Sequence, residues 1–346
     1  MRHLASIQEV KSIEPIEDAD KIELVHVLGW QCVANKGDFN VGDKCIYFEI
    51  DSFLPIKEEF EFLRRSSYRN NEFMGEGFRI KTIKLRGQLS QGLIIPVSAE
   101  LQDKNVGDDV TDILGVRKWE LPEMASDIGI IVGERPEFIK KTDETRIQSN
   151  PALLEEFRGL DYYITTKCDG SSCSIGINEN GEFFLTSHVC TLKNIPNTSA
   201  FVDFVNAHGY EEKLRKYMEI NGLTSVVIQG EWCGGGINKN RLHLKEPHWY
   251  IFTVDENRKR VTFDELRKVI QFIGGEMVML DEEGTDLPSK YPTVEALLEK
   301  ANGTYPNGGI REGIVIRPKT PVYSKLLDTT LSMKVVSNKY LLKNDE

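Results

Sequence analysis

A two-domain chain of the α+β class is what the sequence predicts: a small closed β-barrel, then a domain of antiparallel sheets flanked by helices. Three observations predict it. The first hundred or so residues break into short apolar runs separated by turn signals. From Asp161 onward β segments alternate with helical ones, too irregularly for a parallel βαβ sheet. The length of 346 residues allows two proper cores, since a domain takes about one to two hundred residues.

In the first part the apolar runs are Ile22–Val27 and residues 44–50, 78–85 and 92–97. Turn signals such as Asn35-Lys36-Gly37 and Val41-Gly42-Asp43 separate them. Roughly five short strands in about a hundred residues suit a small barrel, of which the OB-fold is the common version. One stretch, FRIKTIKLRG, carries Arg79, Lys81, Lys84 and Arg86. Alternation sets Arg79 and Lys81 on one face, with Lys84 and Arg86 on the other or past a bend. Arg64, Arg65 and Arg69 lie close in sequence, so the stretch reads either as a solvated strand edge or as a phosphate-contacting patch.

Between residues 110 and 150 the pattern weakens, punctuated by Pro122, Pro136 and Pro151. The expected organisation is therefore a barrel over residues 1–110, a connector over 111–150 and a second domain over 151–346. Helical segments are expected at residues 198–220, 263–272 and 294–302, and no internal repeat is visible.

Composition narrows the function classes. With 40% hydrophobic and 28% charged residues the chain is ordinary for a globular protein. MRHLASIQEV lacks the basic and apolar regions of a signal peptide, and no stretch reaches the ~18 apolar residues of a membrane span. A cytosolic location is expected, or a nuclear one in a eukaryote. Cys32, Cys45, Cys168, Cys173, Cys190 and Cys233 lack CxxC spacing, so they read as reduced thiols in the core rather than disulfides or zinc ligands. The net charge of −11 argues mildly against a nucleic-acid partner held by bulk charge; local patches would have to do the work.

The most informative segment is Lys167-Cys168-Asp169-Gly170, between the apolar run DYYITT and SSCSIGI. Alone, K-x-D-G is weak and reads equally as a turn bent by Asp-Gly. Its companions come in a fixed order: Ser187-His188, then Gln229-Gly230-Glu231 at the end of SVVIQGE, then the aromatic strand WYIFTV. Arg311-Glu312-Gly313-Ile314-Val315-Ile316-Arg317 and Met333-Lys334-Val335 complete the set. Each has a dull explanation as a turn or core strand, but all of them in that order is improbable by chance.

Together these segments resemble the covalent nucleotidyltransferase superfamily of polynucleotide ligases and mRNA capping enzymes. Within it they look most like the Deinococcus/Naegleria type of ATP-dependent RNA ligase, which has an OB domain before the catalytic one. The likeness covers nearly the whole chain and includes FEIDSFLP (48–55), KLRGQLSQGL (84–93) and KTDETRIQ (141–148). The ending SNKYLLKNDE soon after Lys334 favours the RNA ligase branch, because DNA ligases and capping enzymes normally continue into a C-terminal OB domain.

The resemblance implies a role for each position. Lys167 would be the nucleophile that takes AMP from ATP. Asp169, Glu231 and Glu312 would hold Mg²⁺ or Mn²⁺, reversing the local charge logic that otherwise keeps a lysine protonated. Lys334 would bind the α-phosphate, Phe252 would stack on adenine, Thr166 would offer backbone groups to its edge, and Glu231 would reach the ribose. Ser172, His188 and Arg317 join the nucleotide-binding set, while Arg79, Lys81, Lys84 and Arg86 would hold RNA.

Two departures stand out. Relatives commonly have Ser-Arg-Asn where this chain has Ser187-His188-Val189, and the frequent K-x-K is reduced to Lys334. Arg317 or Lys339 could take the missing cation's job.

The reaction so implied joins 3′-hydroxyl and 5′-phosphate RNA ends through a lysyl-AMP and an adenylylated RNA end, in nick sealing or RNA repair, by a monomer with no membrane partner. Two alternatives stay open: a non-catalytic RNA-binding protein with a degenerate ligase domain, and a DNA ligase or GTP-using capping enzyme.

Overall fold

The computed structural model describes residues 2–120 and 129–344; Pro122, expected to punctuate the connector, lies outside the described residues. The chain divides into two compact units.

The first unit comprises Met1–Pro122, Gln148–Pro151 and Leu341–Glu346. Its main sheet has five antiparallel strands in the order Leu93–Pro96, Lys44–Phe48, Ala5–Pro15, Ile22–Val27, Trp30–Asn35. It curls as a half-barrel of the OB type. The unit's core packs Ala5, Ile7, Ile46 and Phe48 of this sheet with Leu54, Phe60 and Phe78, the Phe48 and Phe60 rings edge to face at 5.6 Å between centres. Gly92 is required where two strands meet, because a Cβ there would lie 2.6 Å from the Phe48 carbonyl oxygen, and its φ is 112°.

The basic stretch expected as one strand over residues 78–85 is two. Gly75–Arg79 pairs with Ser52–Leu54 and Tyr68–Asn71, whereas Thr82–Leu85 forms a separate hairpin with Gln88–Gln91. The chain bends between them, and Arg86 takes the left-handed φ of 47° in the hairpin turn. Arg79 is tied down, 3.6 Å from Asp51 with its guanidinium over the Trp119 ring, while Lys84 and Arg86 are exposed.

The second unit comprises Glu123–Ile147 and Ala152–Tyr340. Two sheets build it. The larger has eight strands, ordered Ile131–Glu134, Cys190–Leu192, Phe183–Thr186, Ser171–Ile177, Val226–Cys233, His248–Glu256, Lys259–Arg260, with Glu276–Met277 parallel to His248–Glu256. The smaller has four antiparallel strands, ordered Leu280–Thr285, Asp161–Lys167, Gly313–Pro318, Met333–Val336. The helix Phe263–Ile273 turns Phe263, Leu266, Val269, Ile270 and Ile273 into the larger sheet's core, and the Thr262–Glu265 capping box starts it. The helical segment expected at residues 198–220 is two helices, Ala200–Ala207 and Tyr210–Asn221, broken where Gly209 adopts φ 62°.

The units are not contiguous in sequence, unlike the three successive stretches expected. Ile147 is buried in the second unit's core, yet Gln148 already belongs to the first, where its carbonyl accepts the Gly29 amide at 2.9 Å. The expected connector also carries structure of its own, including the helix Thr111–Leu114 and the strands Arg117–Lys118 and Ile131–Glu134. Among the described residues no helix is long and apolar enough to cross a membrane, and all six cysteines are free and buried.

Candidate active site

Lys167 is the last residue of its strand, and Cys168-Asp169-Gly170 carries the chain from the four-stranded sheet to the eight-stranded one. The crossing is tight: a Cβ on Gly170 would lie 2.4 Å from the Trp232 carbonyl oxygen, so only glycine fits. Between the sheets at this crossing is a cavity of about 360 Å³. Thr166, Lys167, Ser172, His188, Glu231, Phe252, Arg317 and Lys334 all line it, so the sequence-derived nucleotide set converges with the exception of Glu312. Glu312 stands behind the lysine, its Oε1 2.8 Å from Nζ.

Phe252 reaches the cavity through a defect in the sheet. Val226–Cys233 pairs with His248–Glu256 so that Gln229 opposes Thr253 and Gly230 opposes Ile251, leaving Phe252 as the extra residue of a bulge. Such a bulge re-aims one side chain without ending the strand. Gly230 is small because the Trp249 indole occupies the place of a Cβ.

Charge is crowded around the amine. Burial works against the Lys167 ammonium, but Glu312, Glu231 and Asp169 together hold it well above the usual lysine range. Burial pushes the Glu231 carboxyl up to about 7, Lys167 opposing and Glu312 reinforcing the shift. The Asp169 carboxyl is raised too, by burial and by Glu312, against the pull of Arg241. Lys334 is drawn down to about 8 by burial first and then by Lys167 and Arg146.

The three carboxylates do not form a metal cage of their own. Among the described residues no group of three or more His, Cys, Asp or Glu side chains is arranged to hold a metal ion. Each expected ligand has a protein partner instead. Glu312 pairs with Lys167, Glu231 accepts the Gly170 amide at 3.2 Å, and Asp169 is taken by Arg241 at 2.8 Å and by Asn238 Nδ2 at 3.1 Å. The donors are the hard oxygens that Mg²⁺ or Mn²⁺ prefers, and they fit an ion whose shell is completed by phosphate and water. Of the Thr166 backbone groups expected at the adenine edge, the amide donates to the Met279 carbonyl at 2.9 Å.

One element of the site went unassigned in the sequence. Residues 140–146, Lys140 and the first part of KTDETRIQ, contribute Thr142, Asp143 and Glu144 to the cavity lining and engage residues in and around it. Lys140 O accepts Gln229 Nε2 at 2.7 Å, the Thr142 hydroxyl meets Ser172 Oγ at 2.8 Å, and Asp143 lies 3.5 Å from His188 Nε2. Glu144 binds Arg317 at 2.6 Å and accepts the Ser332 hydroxyl. The Thr145 carbonyl accepts the Lys334 amide at 2.9 Å. Arg317, whose guanidinium also faces the Phe252 ring, lines the cavity with its Nη2 paired to Glu144. A signal existed, since the segment matched the family pattern, but nothing local said which residues it would touch. Arg241, Asn238 and Tyr305 were also missed; they sit in loops whose sequence carries no periodic pattern.

A family model described as an OB-fold domain matches residues 4–97, and one described as RNA ligase matches residues 160–336. Among solved structures the chain is similar to a variant of the Naegleria gruberi RNA ligase without ligand: 32% identity, 100% of this chain and 99% of that one covered, TM-score 0.88. A variant of the same ligase with ATP and Mn gives 32% identity, 100% of both chains and a TM-score of 0.88. Another with AMP and Mn gives 32% identity, 98% of both chains and a TM-score of 0.86. A comparison with curated proteins gave no match.

Proposed function

The chain belongs to the RNA ligase family, and we propose that it joins RNA 3′-hydroxyl and 5′-phosphate ends by way of an AMP carried on Lys167, in RNA repair or nick sealing. The observation that carries the reading is the Lys167 amine on the wall of a nucleoside-sized cavity, 2.8 Å from Glu312 and under the influence of Glu231 and Asp169. The ATP and Mn bound to the Naegleria ligase support the same cosubstrate and a divalent ion here.

Lys167 Nζ attacks the α-phosphorus, a P–N bond forms and pyrophosphate leaves. The AMP then passes to the RNA 5′-phosphate, and attack by a 3′-hydroxyl joins the ends and releases AMP. In the free site the amine is held protonated by the carboxylates beside it. A bound divalent ion supplies charge neutralisation for the phosphates and a competing partner for Glu312 and Glu231. With those carboxylates engaged elsewhere, burial and the neighbouring Lys334 both favour the neutral, nucleophilic amine.

The other residues position the nucleotide. Phe252 offers an aromatic face to the base, and Lys334 offers a cation one cross-strand pair from Val315, on the strand beside Lys167's neighbour. Glu231 reaches the ribose or the ion. His188, steadied by Asp143, contacts ribose or phosphate in the place where relatives carry arginine. Incubation with α-labelled ATP and Mg²⁺ or Mn²⁺ tests the reading: an acid-labile, alkali-stable AMP adduct mapped to Lys167 is expected, and a protein that takes up no label overturns it.

A further inference from the structure

A single buried hydroxyl ties together the backbones of the two residues at the chemical centre. Asp161–Lys167 and Gly313–Pro318 are paired residue by residue until Lys167 opposes Gly313, and there the ladder ends. Past that point the Lys167 carbonyl and the Glu312 amide have no strand partner between them. Tyr305 Oη fills the gap, donating to the Lys167 carbonyl at 2.9 Å and accepting the Glu312 amide at 3.0 Å. Because one contact takes its proton and the other its lone pair, the hydroxyl is fixed in orientation.

Tyr305 can do this because its own backbone is pinned. Its amide donates to the Gly309 carbonyl at 2.7 Å and its carbonyl accepts the Gly308 amide at 2.9 Å, closing a tight loop. Gly309 itself packs so closely against the Arg241 carbonyl that a Cβ would have no room. The ring is 1% exposed and sits among Cys168, Cys233, Leu242 and Val278. The result is a closed circuit: Tyr305 Oη to the Lys167 backbone, along that side chain to Nζ, across 2.8 Å to the Glu312 carboxylate, and back through the Glu312 amide to Tyr305.

We propose that Tyr305 is a positioning residue that sets the distance and orientation between the Lys167 amine and the Glu312 carboxylate. It touches neither side chain; it acts through their main chains, where a small displacement is passed on to the reacting atom. Misplacement on the order of 1 Å costs a nucleophilic step up to a hundredfold without touching substrate affinity. The proposal rests on Lys167 being the adenylylated residue.

Tyr305→Phe keeps the ring and removes only the hydroxyl. In single-turnover labelling with α-labelled ATP we expect its kcat for adduct formation to fall about tenfold to a hundredfold, with KM for ATP within about twofold. An unchanged kcat, or a change confined to KM, overturns the proposal. Hydrogen exchange supplies a readout independent of the variant's folding. The wild-type Glu312 amide should be protected although it lies beyond the ladder, and exchange at the rate of an exposed loop overturns the proposal as well. Lys167→Ala in the same assay separates the two questions, because retained label there defeats the adenylylation reading while leaving the Tyr305 hydrogen bonds to be judged by exchange.

Discussion

Two charged clusters in the second unit make opposite use of the same residue types. Around Glu282, Tyr162 and Tyr291 donate their hydroxyls at 2.8 Å, and Lys290 and Lys300 lie within 2.8 Å and 3.2 Å. These donors outweigh the cost of burial and hold the Glu282 carboxyl down at about 2. Around Lys167 the balance is reversed. Burial first, with two carboxylates beside it and one backbone donor at 3.2 Å, takes Glu231 up to about 7, while burial first, then Lys167 and Arg146, takes Lys334 down to about 8. A cluster with surplus donors is settled and stabilises the fold. One whose buried charges lack enough partners stores unfavourable energy that a ligand can release, which is what a site for phosphate and metal needs.

The sharpest way to break this contrast is to remove the charged pair at the centre of the Lys167 cluster. Lys167→Ala should bring AMP labelling below detection; a labelled variant would move the nucleophile elsewhere. Glu312→Ala should cut labelling by about a hundredfold or more, in line with the loss of a preorganised charged group, and near-normal labelling would demote Glu312 to a strand-end residue.

The two clusters should then respond to neutralisation with opposite signs. Glu282→Gln is expected to cost about 2 kcal/mol of unfolding free energy at pH 7, with labelling retained. Because the folded carboxyl is at about 2 against an ordinary 4.5, its contribution is complete above the ordinary value and is lost as pH falls from there toward 2. Lys334→Met should instead raise stability by about 1 kcal/mol at pH 7, since a lysine drawn down to about 8 opposes folding while it is charged. The same change should abolish productive use of ATP. Denaturant titration of both variants checks the signs, and equal signs would dissolve the contrast.

The smallest effect is expected in the first unit. Lys84→Ala combined with Arg86→Ala should weaken RNA binding a few-fold at low salt and flatten its salt dependence by about one to two counterions, without altering labelling of Lys167. An unchanged salt slope would leave this hairpin a solvated edge.

Much of the candidate site was legible because the residues that the resemblance pointed to stand at strand ends. Lys167, Glu231, Phe252, Glu312 and Lys334 each stand on or beside a strand that is apolar enough to be read as one. Other features had no local signature. Residues 140–146 show neither apolar periodicity nor strand alternation, and their pairing with Ser172, His188, Arg317 and Lys334 spans separations such as the 173 residues between Glu144 and Arg317. The break within residues 198–220 hinged on one glycine in a left-handed conformation, and the split of residues 78–85 on a change of partner strand.

By itself the sequence, through its resemblance to a known family, pointed to the side chains that the proposed nucleotidyl transfer would use, and it determined the α+β character through local apolar patterning. Only the tertiary structure decided how those groups are charged and held. Three carboxylates became partners of Lys167, Arg241 and a backbone amide rather than a ready-made cage, and Tyr305 closed the gap past the end of a ladder. Desolvation and hydrogen-bond geometry depend on neighbours brought from elsewhere in the chain, and no stretch of sequence encodes its own neighbours.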